Sequence, residues 1–178
     1  SYSLGETAGD ASAARQIGAS LGYANGPLNV AVAYNHKNND TATLKTAGIG
    51  HNGLIAANYD FKVVKVFAAY SEDKGLNSAP LNGSATAYGP TFVASQDSTD
   101  ALIGLTAPVS TAGTVMASFI RKNDKQFADR DADQWAIGYS YALSKRTSTY
   151  IAYAKIKNKN GAGYTVGNNT EGGSGDKA

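Results

Sequence analysis

The sequence contains no cysteine in 178 residues. That excludes a disulfide framework, thiolate zinc sites and thiol catalysis. Charge is scarce as well: Asp, Glu, Lys and Arg make up 17% of the chain, against roughly 25% in an ordinary soluble domain. The formal net charge of +2 comes without any Lys/Arg run, so nucleic acid is not an expected partner. No stretch approaches the ~18 consecutive apolar residues of a membrane-spanning helix. A spanning β-strand leaves a weaker trace than a helix, and that possibility stays open.

What the sequence does contain is alternation. Ile17, Ala19, Leu21 and Tyr23 interleave with Gly18, Ser20 and Gly22; Leu28, Val30, Val32 and Tyr34 interleave with Asn29, Ala31 and Ala33. The same pattern runs through 55–61, 64–70, 103–107 and 115–119. It is strongest in Trp135, Ile137, Tyr139, Tyr141 and Leu143. Period two means strand, with one apolar face and one small or polar face. The segment Thr147 to Ile156 is a strand by composition, but its two faces are nearly equal and its orientation stays open. No 3.6-residue period is sustained, so the chain is all-β, with about nine strand segments if 1–6 is counted.

Connections alternate too. Short turns are expected at 24–27, 60–63, 108–113 and 144–146, with long polar loops at 5–14, 36–47, 71–99, 122–133 and from 157 onward. Asn25-Gly26 signals a hairpin, both residues tolerating the positive φ of a type I′ turn. A strict short–long meander gathers the tight turns at one end of the sheet, as in outer-membrane barrels. Sandwiches with Greek-key crossovers rarely have that order. The non-apolar face, rich in Gly, Ala, Ser, Asn and Thr, suits a water-filled lumen. The aromatics of the other face are expected in two girdles. Tyr23, Tyr59, Phe61, Tyr139 and Tyr141 fall toward the periplasmic rim, and Tyr34, Tyr70, Phe119 and Trp135 toward the outer rim.

Parity bears on completeness. The first strand rises from the periplasm and the tail from 157 leaves at the extracellular end, whereas finished bacterial barrels have even strand numbers. The chain is therefore expected to be a piece of a larger transmembrane, antiparallel up-and-down β-barrel.

The run from Ile17 to Val30, IGASLGYANGPLNV, resembles a mid-barrel hairpin of general porins from β-proteobacteria. The run from Gly138 to Thr147, GYSYALSKRT, followed by Tyr150 and Tyr153, resembles their late hairpin and that of the Neisseria type. The turns at 58–61 and 106–109 fit the same register. The resemblance covers 1 to about 158 and implies a sixteen-stranded homotrimeric barrel in the outer membrane of a Gram-negative bacterium. On that alignment 1–178 is the C-terminal part of one barrel domain, lacking the N-terminal strands, the constriction loop and the last strand.

No catalytic set, cofactor motif or metal cluster is visible. His36 and His51, the only two histidines, fall near the outer halves of neighbouring strands. Their register is not expected to set them opposite each other, and solvation in loop or lumen is the role assigned. Gly48-Ile49-Gly50 and Gly161-Ala162-Gly163 lack the helix and Gly-Lys-Ser/Thr of a phosphate loop. The sequons at 82–84 and 168–170 are discounted as chance in Asn-rich loops. Asp129, Asp131 and Asp133 around Arg130 are read as a solvated hairpin rather than a cation site.

By parity Lys37, Lys65, Lys122, Asp60 and Asp100 face the lumen. Three lysines against two aspartates imply a slight anion preference, since passive channels select ions by the charges lining them. Arg15 and Arg121 share parity with the lipid-facing residues just beyond the outer aromatics, as candidate contacts for lipopolysaccharide phosphates. The expected function is a porin: passive diffusion of ions and small hydrophilic solutes, with outer-membrane lipid and lipopolysaccharide around it. The alternative is a soluble or surface β-rich binding module using the long loop at 71–99. An enzyme or adhesin on the same barrel would need residues that are not found.

Overall fold

The computed structural model describes residues 2–3, 10–40, 48–76, 95–127, 129–164 and 166. Nine strands form one sheet: β1 (Tyr2–Ser3), β2 (Gln16–Asn25), β3 (Leu28–Asn38), β4 (Ile49–Asp60), β5 (Lys65–Leu76), β6 (Ser95–Pro108), β7 (Gly113–Asp124), β8 (Ala132–Ser144) and β9 (Thr147–Asn158). Their spatial order is their chain order. Every neighbouring pair is antiparallel. No helix is present among the described residues.

The strands continue into segments expected as loops: β3 to Asn38, β5 to Leu76, β6 from Ser95, β7 to Asp124. Ladder pairing persists there, but both faces are polar, so the alternation that marks a half-apolar strand vanishes before the strand does. The first hairpin differs from the expected type I′ turn. Asn25 pairs with Leu28, and Gly26 has φ 55° whereas Asn25 has no positive φ. Gly26-Pro27 are then the central pair, with positive φ at the first position only, as in a type II′ turn. At 61–64, Phe61 N–H bonds the Val64 carbonyl at 2.9 Å and Asp60 Oδ1 accepts from Lys62 N–H at 2.7 Å.

Pairing sets the faces of all nine strands at once. One outward row runs through Tyr23, Val30, Ala57, Ala68, Ile103, Phe119, Trp135 and Lys155. Tyr23 lies two residues from the turn end of β2, whereas Lys155 lies eight from that of β9. With the turns level, the row climbs about 20 Å over about 34 Å of sheet, a strand tilt of roughly 30°. β9 becomes oriented through β8: Ile151 and Tyr153 are beside Tyr139 and Ile137, so Tyr150, Ala152 and Ala154 face inward.

Among the described residues, the buried apolar side chains are only Ala13, Ala132 and Ala162. Most of the large apolar residues of the strands are exposed instead, chiefly on the outward face: Leu21 at 73%, Ile103 at 57%, Ile137 at 52%. Leu54 and Tyr150 are exposed on the inner face. A water-soluble domain places such a face against a second layer. Here no second layer covers it among the described residues.

Candidate functional site

The inner face of the sheet carries the small, amide and charged side chains. Its middle is small and weakly polar, with rows such as Gly22, Ala31, Ala56 and Ala69 across β2 to β5. Amides bridge strands along it: Asn29 Nδ2 donates to Asn58 Oδ1 at 3.2 Å, and Gln16 Nε2 to Asn35 Oδ1 at 2.9 Å. Apolar groups intrude where sequence parity gave them no prominence. Phe67, Leu102 and Met116 line one shallow inner depression with Gly104 and Gly138.

Lys37, Lys65, Lys122, Asp60 and Asp100 lie on the inner face in this register. They form separate groups. Near the turn end, Asp60 and Lys65 are Cα partners, with Lys65 Nζ 5.5 Å from the Phe67 ring centroid. Lys37 lies at the other end, opposite Gly50 and Gln16. Among the described residues, neither Lys37 nor Lys65 has a carboxylate within ion-pair distance.

Lys122 is differently placed. Its ammonium donates to Ser98 Oγ at 2.8 Å and to both oxygens of Asp100, at 3.0 and 3.3 Å. Asp73 Oδ2 lies 3.9 Å away, and the Tyr164 ring centroid 5.9 Å away. Asp73 is 3% exposed and accepts from Asn52 Nδ2. One lysine is thus shared by two carboxylates inside a polar network, where each charge-assisted bond strengthens the others. Asp73 and Ser98 lay inside the expected 71–99 loop. Extending the parity of Lys65 past Ser71 would have placed Asp73 inward.

Beyond this network the loop after β7 closes on itself. Asp131 Oδ1 accepts from Asp124 N–H at 3.0 Å, and the Asp124 carboxylate caps Gln126 and Arg130 N–H at 3.0 and 3.1 Å. Lys159 Nζ reaches Asp131 at 3.5 Å and Asp133 at 3.9 Å. The alternating aspartates therefore order the hairpin and pair with cations. Among the described residues no group of three or more metal-ligating side chains of the His, Cys, Asp or Glu type occurs.

On the outward face, Tyr23, Tyr34, Tyr59, Phe61, Tyr70, Phe119, Trp135, Tyr139 and Tyr141 are all exposed. Tyr59 and Phe61 touch with centroids 4.5 Å apart, and Trp135 meets Tyr153 at 5.3 Å. Tyr139 and Tyr70 each lie five residues from the turn end of their strand. They are closer in level than opposite rims require, because strand tilt and unequal strand lengths blur the levels read from sequence. Arg121 Nε lies 3.9 Å from Asp133 Oδ1, whose row continues to Lys157. Arg15 lies just before β2, its carbonyl accepting from Asn38 N–H at 2.9 Å. Beyond Tyr70, Glu72 and Lys74 pair at 2.8 Å.

One expectation is overturned outright. His36 and His51 are directly opposed Cα partners across β3 and β4, with ring centroids 4.9 Å apart. The long connection 39–48 hides the offset between the two strands, and the hairpin register places the two side chains together.

A family model of Gram-negative porins matches residues 1–161. The chain belongs to that family. This porin is 33% identical over 163 residues to an outer membrane porin of Bordetella pertussis, covering 79% of the chain and 41% of that relative. It is 27% identical over 148 residues to outer membrane porin protein 32 of Delftia acidovorans, covering 83% of the chain and 38% of the relative. The chain thus spans under half the length of these curated relatives. Two solved porins share its fold. One is titled an anion-selective porin from Comamonas acidovorans, with TM-score 0.67 and 24% identity over 89% of this chain and 44% of that one. The other is a porin refined at 1.8 Å, with TM-score 0.63 and 19% identity over 85% and 48%. Its place is the outer membrane of a Gram-negative cell, and its family is one of channels rather than enzymes.

Proposed function

We propose that the complete protein is a passive diffusion channel for ions and small hydrophilic solutes, and that these nine strands supply roughly half its wall. The observation that carries this reading is the division of a single continuous meander. Large apolar side chains are uncovered on one face, and small, amide and charged groups line the other. Lipid satisfies the first and water the second, while the ladder satisfies the backbone between them.

Solutes would cross down their gradients without chemistry by the chain, filtered by width and by wall charge. A weak anion preference rests here on Lys37 and Lys65, since Lys122 is held by Asp73 and Asp100. No described residue set suits catalysis, and no enzymatic activity is assigned. The family architecture further suggests a homotrimer. Arg121, with Lys155 and Lys157 near it on the outward face, suits lipopolysaccharide phosphates, and Arg15 serves the same role at β2.

The test is conductance of the full-length protein in planar bilayers. Stepwise openings grouped in threes are expected, with a salt-gradient reversal potential of anion-favouring sign. A protein that inserts and never conducts overturns the channel; cation preference overturns the role given to the lysines.

A further inference from the structure

The geometry points to a transition-metal site formed by His36 and His51 at the outer end of the β3–β4 hairpin, taking a divalent ion of the zinc or copper(II) class. Four observations converge on it. The two imidazoles are direct cross-strand partners on one face of the sheet, so both extend from the same rigid ladder rather than from a loop.

Their separation suits a shared ion. With metal–nitrogen bonds of 2.0–2.1 Å, two imidazoles on a tetrahedral ion have ring centroids about 5.2 Å apart, and on a square-planar one about 4.5 Å. The observed 4.9 Å lies between, with the ring planes at 74°. Cross-strand partners on one face leave only side-chain rotation to aim both ring nitrogens at one ion.

The second nitrogen of one ring is already held. Tyr34 Oη lies 2.6 Å from His51 Nδ1, which leaves Nε2 as the free nitrogen. A hydrogen-bond partner on the far nitrogen is the outer-shell arrangement that orients a ligating histidine and fixes its tautomer. The neighbouring cation is also occupied: Lys74, the cross-strand partner of His51, is paired with Glu72 at 2.8 Å.

Access is the fourth point. On β3, His36 lies two residues beyond Tyr34 on the outward face, and both imidazoles are half-buried rather than enclosed. An ion there would tie β3 to β4 near the end of their ladder, with water completing its coordination.

The experiment uses the full-length protein, folded in detergent and carrying no polyhistidine tag. It is titrated with Zn²⁺ by calorimetry and with Cu²⁺ by electron paramagnetic resonance, beside His36→Asn, His51→Asn, the double variant and Tyr34→Phe. Wild type is expected to bind one ion more per chain than the double variant, with a two-nitrogen copper signal that the double variant lacks. Each single histidine variant weakens binding at least tenfold, and Tyr34→Phe weakens it by about tenfold with both ligands retained. Heat-modifiable gel mobility checks that each variant is folded. Footprinting of the unmutated protein with diethyl pyrocarbonate needs no variant: Zn²⁺ should protect His36 and His51 together. Equal ion counts and affinities in wild type and double variant, or no joint protection at millimolar Zn²⁺, overturn the site. None of these readouts depends on conductance.

Discussion

Lys122 and Asp100 are directly paired across β6 and β7, and their side chains meet at 3.0 Å on the inner face, with Asp73 3.9 Å from the same ammonium. The pair closes a polar network between β5, β6 and β7 near their outer ends. Replacing Lys122 by Met leaves two carboxylates facing each other, one of them 3% exposed. The expected cost is about 1–3 kcal/mol, since a group stranded without its partner retains its desolvation penalty. Urea unfolding into lipid should show the lower midpoint. The conductance should lean toward cations, because the wall loses one positive charge.

Faces can be tested at adjacent positions. Ile103 faces outward and Leu102 inward, both near mid-height of β6. An arginine at position 103 should cost about 2–4 kcal/mol in a bilayer, where the hydrocarbon midplane is most hostile to charge. An arginine at position 102 faces the lumen and should cost far less while narrowing the pore. Folding yields into vesicles, compared for the two variants, check this; equal losses would undo the assignment of lipid to the outward face.

Gly75 has φ 83°, and a Cβ there would be driven against the Ile49 carbonyl oxygen on the neighbouring strand. Gly75→Ala should destabilise by about 1–3 kcal/mol through backbone strain. Gly53 has open space around its missing side chain and no positive φ. Gly53→Ala should be neutral or slightly stabilising, the ordinary result of restricting the unfolded chain. Both can be read from the denaturant midpoints of otherwise identical preparations.

Lys37 and Lys65 carry the proposed anion preference from opposite ends of the inner face. Reversing both to Glu should move the salt-gradient reversal potential toward cations, with smaller shifts for each alone. Unit conductance should change less than selectivity. An unchanged reversal potential would place selectivity in parts of the barrel outside these strands.

Much of the architecture was legible because its signal is local. Side chains alternate within a strand, so Ile17 to Tyr23 or Trp135 to Leu143 reveal which residues share a face without knowledge of their neighbours. The short turns at 24–27 and 144–146 announce hairpins in the same way, although pairing moves the first turn's centre from Asn25-Gly26 to Gly26-Pro27. Where both faces are polar, as in Ser71 to Lys74, the alternation has no contrast and the strand was hidden.

What the sequence by itself determined, then, was the all-β meander, the two faces of most strands and the family. The tertiary structure decided offsets across long connections, and the face of β9, whose two sides are equally apolar and which only its pairing with β8 orients. A shift of two residues preserves every side-chain face while changing every partner. The opposition of His36 and His51 and the gathering of Asp73, Ser98 and Asp100 around Lys122 depend on such offsets, and so became visible only when the strands were paired.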